Sequence, residues 1–397
     1  MSVGRALIIV ENAPVPLDAR VWPEASVLRD AGYEVTVISP ALHGHVAAHE
    51  ILDGIEIFRH PLPRVTETPT GYAAEYAVAL WHELRLMRHA WRVQGFDVVQ
   101  ICNPPDLLFL VAGWAKFVLG VPVIFDHHDL SSELYVVKFS RRGLTYRLLR
   151  LLERLTYATA DVVVATNESY AQIAMQRGRK AAEDVFVVRN APMEGGLESD
   201  RADPSLRRSR KHLVAFVGWM AEQDGLDGLV DTIAHVVHGC GRRDVQFLLI
   251  GDGPVRQNKQ AECKRRGLED HVDWPGFVSG ERLRQMIASV DVYLCPEPKN
   301  AYNDASTMIK VVEAMAWGKP VVQFDVREGR RSAGDAALYA TANRPEDLGD
   351  QLLRVLDDDE LRARMGAMGR ARFDELLSWD VQGPRLLAAY ERARAKR

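Results

Sequence analysis

At 397 residues the chain exceeds what one hydrophobic core ordinarily organises, and two domains are the simplest expectation. Its 47% hydrophobic and 26% charged residues make an ordinary globular mixture, which excludes a disordered chain, and the net charge of −4 excludes a global attraction to nucleic acid. The four cysteines, Cys102, Cys240, Cys263 and Cys295, form no Cys-x-x-Cys pair, so neither a disulfide framework nor a zinc knuckle is expected and a reducing, cytoplasmic setting follows.

The first apolar run, 6–10, is too short for a signal core or a membrane span and suits a buried strand. Further strands are predicted at 34–39, 55–58, 97–101, 121–126, 161–166 and 185–188, with helices near 21–31, 71–93, 105–118, 142–159 and 168–178 between them. That alternation describes one doubly wound parallel sheet. His43, His45 and His49 fall in a stretch read as a loop, where they either ligate a metal or, as the favoured reading, stand in solvent. After Asn190 the text turns to Ala-Pro-Met-Glu-Gly-Gly and a charged stretch, 198–211, the best internal boundary. A second set of strands follows at 212–217, 245–250, 271–274, 291–295, 320–324 and 337–340. The reading is α/β, two Rossmann-like domains over 1–195 and 196–383, with ligand expected on loops at the carboxyl ends of strands.

Three of those loops and one helix carry chemistry. The loop after the first strand, Glu11-Asn-Ala-Pro-Val-Pro-Leu-Asp-Ala-Arg20-Val, lacks the Gly-x-Gly-x-x-Gly of a dinucleotide site, which argues against an NAD enzyme. Arg20, at the following helix start, either meets a phosphate or an acceptor or stands in solvent. The fifth strand runs into Asp126-His127-His128-Asp129. Neighbouring strand residues point to opposite faces, so His127 and His128 do not share a metal ion; His127 is read as a packed or solvent histidine. Residues 138–157, with Arg141, Arg142, Arg147, Arg150 and Arg154 among leucines, form a basic amphipathic helix that either packs on its own sheet with arginines in water or meets anionic lipid.

The third loop runs Pro296-Glu-Pro-Lys-Asn-Ala-Tyr-Asn303-Asp304-Ala-Ser306-Thr307-Met308-Ile-Lys310-Val-Val-Glu313-Ala-Met-Ala-Trp-Gly318-Lys-Pro-Val-Val. It reads as a strand end, a polar loop, a helix opening near Ser306 and a stop before Gly318. N–H groups at a helix start cradle a diphosphate, Lys310 reaches a phosphate, and Glu313 on the same face takes two ribose hydroxyls; the plain alternative is a surface Lys–Glu pair.

This segment resembles the donor motif of the family-4 retaining glycosyltransferases with the GT-B fold, in which one Glu is followed after seven residues by a second that heads Glu-Ala-Met-Ala and Gly-x-Pro-Val. Glu313 matches the second Glu. Ala305 stands where the first belongs, so the hold on the sugar hydroxyls is assigned to Asp304, with Asn303, and to N–H groups of Ser306, Thr307 and Met308. The likeness extends over Val188-Arg-Asn-Ala-Pro192, Val217-Gly218 and Leu249-Ile-Gly-Asp-Gly-Pro254. It implies a GT-B enzyme whose domains face a central cleft: an acceptor-side domain completed by a last helix, 384–397, and a nucleotide-sugar domain that uses Gly218. His128 resembles the family histidine that lies against the donor sugar. The family's Arg-x-x-x-x-Lys pattern is missing after Gly218, which leaves the diphosphate to Lys310, the helix start and Arg20. Implied are transfer with retention from a nucleotide-sugar, UDP favoured, to an unidentified acceptor, with no metal or other cofactor, and membrane contact limited to 138–157 at the inner face. A nucleotide-sugar epimerase, or a protein that binds nucleotide-sugar without catalysis, are the alternatives.

Overall fold

The structure is a computed structural model that describes residues 3–42, 44–62, 69–193 and 202–397, and the side chains of all of these but 69–73. Two compact units divide the chain: one formed by the chain up to Asn190 together with Asp380–Arg397, the other by Ala191–Trp379.

The first unit runs β1 (Gly4–Val10), α1 (Val21–Asp30), β2 (Tyr33–Pro40), β3 (His49–Leu52), β4 (Ile55–His60), α2 (Pro69–Val93), β5 (Val98–Cys102), α3 (Phe109–Leu119), β6 (Val123–His127), α4 (Ser131–Phe139), α5 (Leu144–Thr159), β7 (Val162–Ala165), α6 (Glu168–Gln176) and β8 (Val185–Val187). The strand order is β3-β4-β2-β1-β5-β6-β7-β8, parallel except that β3 pairs antiparallel with β4. Because helices cover both faces, the inner strands are apolar almost throughout, and Leu7, Ile9, Val99, Ile101, Val123 and Phe125 form the centre of the core.

The second unit runs β9 (His212–Val217), α7 (Leu226–Ala234), β10 (Val245–Ile250), α8 (Arg256–Arg265), β11 (Val272–Gly276), α9 (Gly280–Ser289), β12 (Val292–Cys295), α10 (Ile309–Ala316), β13 (Val321–Phe324), α11 (Arg327–Ala333), β14 (Ala337–Ala340), α12 (Pro345–Asp357) and α13 (Asp359–Arg372). Its order is β11-β10-β9-β12-β13-β14, with every pair parallel. Both units are the expected Rossmann-like parallel sheets. The last helix, α14 (Trp379–Arg394), carries Pro384 inside it and so begins five residues before the predicted start. Its residues belong to the first unit from Asp380: Tyr390 donates to Gln100 Oε1 at 2.8 Å, and Arg392 meets Asp184 at 2.8 Å.

Two expectations in the first unit need correction. The stretch containing His45 and His49 is not all loop: β3 is a short edge strand whose residues alternate between exposed and half-buried, too polar to announce itself. His43 lies outside the described residues. The helix expected at 138–157 is two helices, because Ser140 ends α4 in the left-handed region at φ 51° and Gly143 restarts the chain before α5. The faces of α5 also differ from the packed reading: Leu144, Leu148, Leu151 and Leu155 are exposed at 83%, 52%, 51% and 38%, whereas Glu153, Thr156 and Tyr157 face inward. Among the described residues no helix is long and apolar enough to cross a membrane.

Candidate functional site

In the second sheet, strand order reverses between β9 and β12, and the loops leaving the carboxyl ends of these strands part there. Backbone packs on backbone around this point. A Cβ on Gly251 would lie 1.8 Å from the Gly218 carbonyl oxygen, and one on Gly225 would lie 2.1 Å from that of Pro296. Only glycine fits either place, and both take positive φ, 136° and 76°.

The helix predicted to open near Ser306 begins at Ile309, with Met308 as an extended N-cap that makes no side-chain cap. Lys310 is therefore in its first turn. The ammonium is 8% exposed, pairs with Glu297, lies 4.0 Å from Asp224 Oδ1 and stands 4.2 Å from the centre of the Phe216 ring. A Cβ on Gly218 would come within 3.0 Å of the Lys310 side chain, so the lysine runs directly beneath that loop. Burial alone would lower the Lys310 pKa; Glu297 and Asp224 outweigh it and raise it, which keeps the cation charged. Glu297 escaped the sequence reading. Its signal was a carboxylate between two prolines immediately after a buried strand.

Glu313, one turn further along α10, is half-buried and has no hydrogen-bond partner among the described residues; burial raises its pKa. The expectation for Asp304 requires correction. Its carboxylate accepts from the Arg327 backbone N–H at 2.8 Å and meets the Arg327 guanidinium at 3.1 Å, with Lys299 at 3.6 Å, because it caps the start of α11. Asn303 is 1% exposed, and its amide donates to the carbonyls of Gln223 at 3.0 Å and Pro298 at 2.9 Å, which ties the loop down from behind. Ser306 donates through Oγ to the Tyr302 carbonyl at 2.8 Å, while Thr307 and Met308 lead into α10.

In the first unit the carboxyl ends of β5 and β6 carry a buried ionic network. Asp126 is fully buried at its centre. Arg20 donates to it through Nε, at 3.0 and 3.1 Å, and through NH2 at 2.6 Å; NH1 donates to the Val188 carbonyl at 2.9 Å and to Asn190 Oδ1 at 2.6 Å, and Glu24 stands 3.2 Å from NH2 as an ion pair. Arg20 is thus neither a solvent arginine nor open to a phosphate. At 4% exposure the guanidinium is enclosed by these partners. Gln100 donates to Glu24 at 2.6 Å and to Asp126 at 3.2 Å, and accepts from Tyr390 of α14. Burial pushes Asp126 up, but Arg20 and His128 hold it well below the usual carboxylate range, while burial carries Glu24 up to about 8. A glutamine inside the apolar run Val98-Val99-Gln100-Ile101 was the unread signal of this network.

His128 and His127 separate as strand geometry requires. His128 places Nε2 2.5 Å from Asp126 Oδ2, and its backbone N–H donates to Asn103 Oδ1 at 2.8 Å. Nδ1 has no partner among the described residues, and the side chain keeps 12% exposure. Burial would lower the His128 pKa, but Asp126 raises it above the ordinary value. His127 is packed: Nδ1 is 2.9 Å from the Tyr157 hydroxyl and Nε2 3.1 Å from the Asp129 carbonyl. Burial pushes its pKa down to about 3. Cys102, Asp126 and His128 converge closely enough to hold a metal ion, yet Arg20 already occupies Asp126, and a second cation there would meet its full repulsion. His235, Cys240 and Asp350 form the other such group among the described residues, at α7 and α12 and away from the strand ends.

Residues 18–191 match the Glycosyl transferase 4-like domain, and residues 211–358 match Glycosyl transferases group 1. Among curated proteins the chain is similar to a 2-deoxystreptamine glucosyltransferase of Streptomyces kanamyceticus, 27% identical with 78% of this chain and 82% of that one covered. It is also similar to a phosphatidyl-myo-inositol mannosyltransferase of Mycobacterium leprae, 25% identical with 98% and 96% covered. Among solved structures it shares the fold of sucrose-phosphate synthase from Thermosynechococcus elongatus, with TM-score 0.77, 16% identity and 98% of both chains covered. The fold is also that of Anabaena HepE in complex with UDP-glucose, with TM-score 0.70, 18% identity and coverage of 98% and 99%. The architecture is thereby that of GT-B glycosyltransferases.

Proposed function

We propose that this chain, a glycosyltransferase by both of its matched domains, transfers a sugar from a UDP-sugar to an acceptor hydroxyl with retention at the anomeric carbon and without a metal ion. The observation that carries the donor assignment is Glu313: a half-buried carboxylate without a hydrogen-bond partner among the described residues, one turn beyond a buried lysine at the strand switch point. A carboxylate accepts from two vicinal hydroxyls, which suits a ribose. The UDP and UDP-glucose found in complexes of HepE support the choice of nucleotide.

In the reaction the bond from the anomeric carbon to the diphosphate oxygen breaks, and the acceptor oxygen bonds to that carbon on the same face. The acceptor proton passes to the departing diphosphate oxygen. Lys310 and the N–H groups opening α10 stabilise the negative charge that develops there, in a setting already organised by Glu297. His128 is assigned to the transferred sugar, with Asp126 fixing the imidazole so that Nδ1 faces a ligand. Isothermal calorimetry with UDP on the native chain and on Glu313→Gln tests the donor site, and UDP release that depends on an acceptor separates transfer from epimerisation or mere binding.

The chain is further proposed to work in the cytoplasm at the inner membrane face. The observation favouring this is the exposed leucine stripe of α5 beside Arg147 and Arg154, an apolar face edged with cations. Sedimentation with phosphatidylglycerol vesicles, but not with phosphatidylcholine vesicles, is expected, and Leu148→Glu with Leu151→Glu abolishes it.

A further inference from the structure

In the first unit, away from Asp126, three buried titratable side chains gather with two half-buried ones. Glu11 follows β1, His60 ends β4, and α2 supplies Glu75, His82 and Glu83, about two helical turns apart and hence on one side of the helix. Glu83 is 0% exposed, His60 1% and Glu11 5%. Among the described residues neither oxygen of Glu83 has a hydrogen-bond partner, nor do Oε1 of Glu11, Oε2 of Glu75, Nε2 of His60 and Nδ1 of His82. The groups are near without being bonded: His60 Nε2 is 3.8 Å from Glu83 Oε1, and the His60 and His82 rings stack at 5.9 Å.

A network built only for stability closes its own hydrogen bonds, since each buried group left open costs about 1–3 kcal/mol. Here three elements deliver open groups to one place. The polarity of these groups is also one-sided. His60 Nδ1 lies 3.3 Å from the Pro61 carbonyl, which makes that nitrogen the donor and leaves Nε2 an acceptor. The carboxylate oxygens are acceptors when ionised. Burial, and then repulsion between neighbouring carboxylates, lifts Glu83 to about 8 and Glu11 to about 7, as expected for acids lacking a counter-charge. On the same helix Arg85 acts on His82. Once ionised, the set presents acceptors and surplus negative charge with no donor of its own, complementary to a group that only donates and is positive. An ammonium has three donors and no acceptor, so it favours the ionised form and displaces the protons that burial keeps on Glu11 and Glu83, which a neutral hydroxyl does not do.

We propose that Glu11, His60 and Glu83, with Glu75 beside them, form a subsite for an ammonium group, and that the acceptor of this transferase is an amine-bearing polyol. The second clause rests on the transferase reading; the ammonium subsite does not. Binding draws a cation against Glu11 and Glu83, lowers their pKa and releases protons near neutral pH.

The test is calorimetry on the full chain at pH 7 without donor, in two buffers of different ionisation enthalpy. The probes are glucosamine and a 1,3-diaminocyclitol, with glucose and inositol as hydroxyl counterparts. The expected result is an affinity for each amine at least about tenfold above its counterpart, with proton release, and loss of that preference in both Glu83→Gln and Glu11→Gln, each checked for native circular dichroism. Equal affinity for amines and hydroxyl counterparts overturns the proposal. So does a preference that survives in both variants. Failure of the native chain to bind UDP would instead refute the transferase reading and leave this result standing, because donor takes no part in the measurement.

Discussion

Replacing Lys310 by methionine removes a charge that serves two partners, one in the protein and one in the reaction. In the folded chain the ammonium neutralises Glu297, which is 3% exposed. Lys310→Met therefore leaves a buried carboxylate uncompensated, and the expected loss of stability is about 3–5 kcal/mol. Lost activity in that variant would say little, since the fold itself is weakened. The double variant Lys310→Met with Glu297→Gln removes both charges and is expected to regain most of the stability, because deleting a buried ion pair as a unit costs far less than breaking it. Turnover is not expected to return. If the lysine acts on the departing diphosphate, kcat falls by about 100-fold or more while the Kd for UDP changes much less. Urea titration followed by circular dichroism gives the stability of both variants, calorimetry gives UDP affinity, and UDP release with acceptor gives turnover. A double variant that is both stable and active would show that Lys310 only supports Glu297. A rise in KM with kcat unchanged would place its action in uniform binding instead.

Glu313→Gln is expected to weaken UDP binding by about 1.5–3 kcal/mol in a chain of unchanged stability, read by calorimetry; unchanged affinity removes the ribose assignment. His128→Ala lowers transfer rate and leaves UDP affinity and thermal midpoint nearly unchanged, whereas His127→Ala, which breaks the bond to Tyr157, lowers stability by about 2–4 kcal/mol. A reversed pattern in the two histidine variants refutes the sidedness of β6. Because the fold raises the Glu83 pKa from an ordinary 4.5 to about 8, the folded chain binds the extra proton and its stability is lost as pH rises through that window; in Glu83→Gln the slope of the urea midpoint against pH becomes shallower. Exhaustive chelation leaves transfer intact, and activity abolished by chelator and restored by a divalent ion would return attention to Cys102, Asp126 and His128.

Much of the fold was legible from one property, since a parallel sheet covered on both faces needs strands that are apolar throughout, and such runs stand out between amphipathic stretches. β3 stayed hidden because an edge strand with one wet face carries no such run. The place of the proposed donor site rests on a related feature: Gly218, Gly225 and Gly251 lie in loops that approach closely, and Lys310 and Glu313 stand three apart on a helix that follows a strand. The sidedness of His127 and His128 followed from strand alternation alone. What sequence could not supply was partnership. Arg20 reads as a cation near a helix start, and only the fold, by bringing Asp126 from 106 positions away and Asn190 from 170, turns it from a phosphate ligand into the counter-ion of a buried acid. Asp304 likewise reads as an open carboxylate until α11 is placed upon it, 23 residues on. Glu297 and Gln100 carry only a break in an apolar or proline context and Glu83 not even that, because the cost of burying a polar group is set by what surrounds it in space, and spacing along the chain records only neighbours within a turn or a strand.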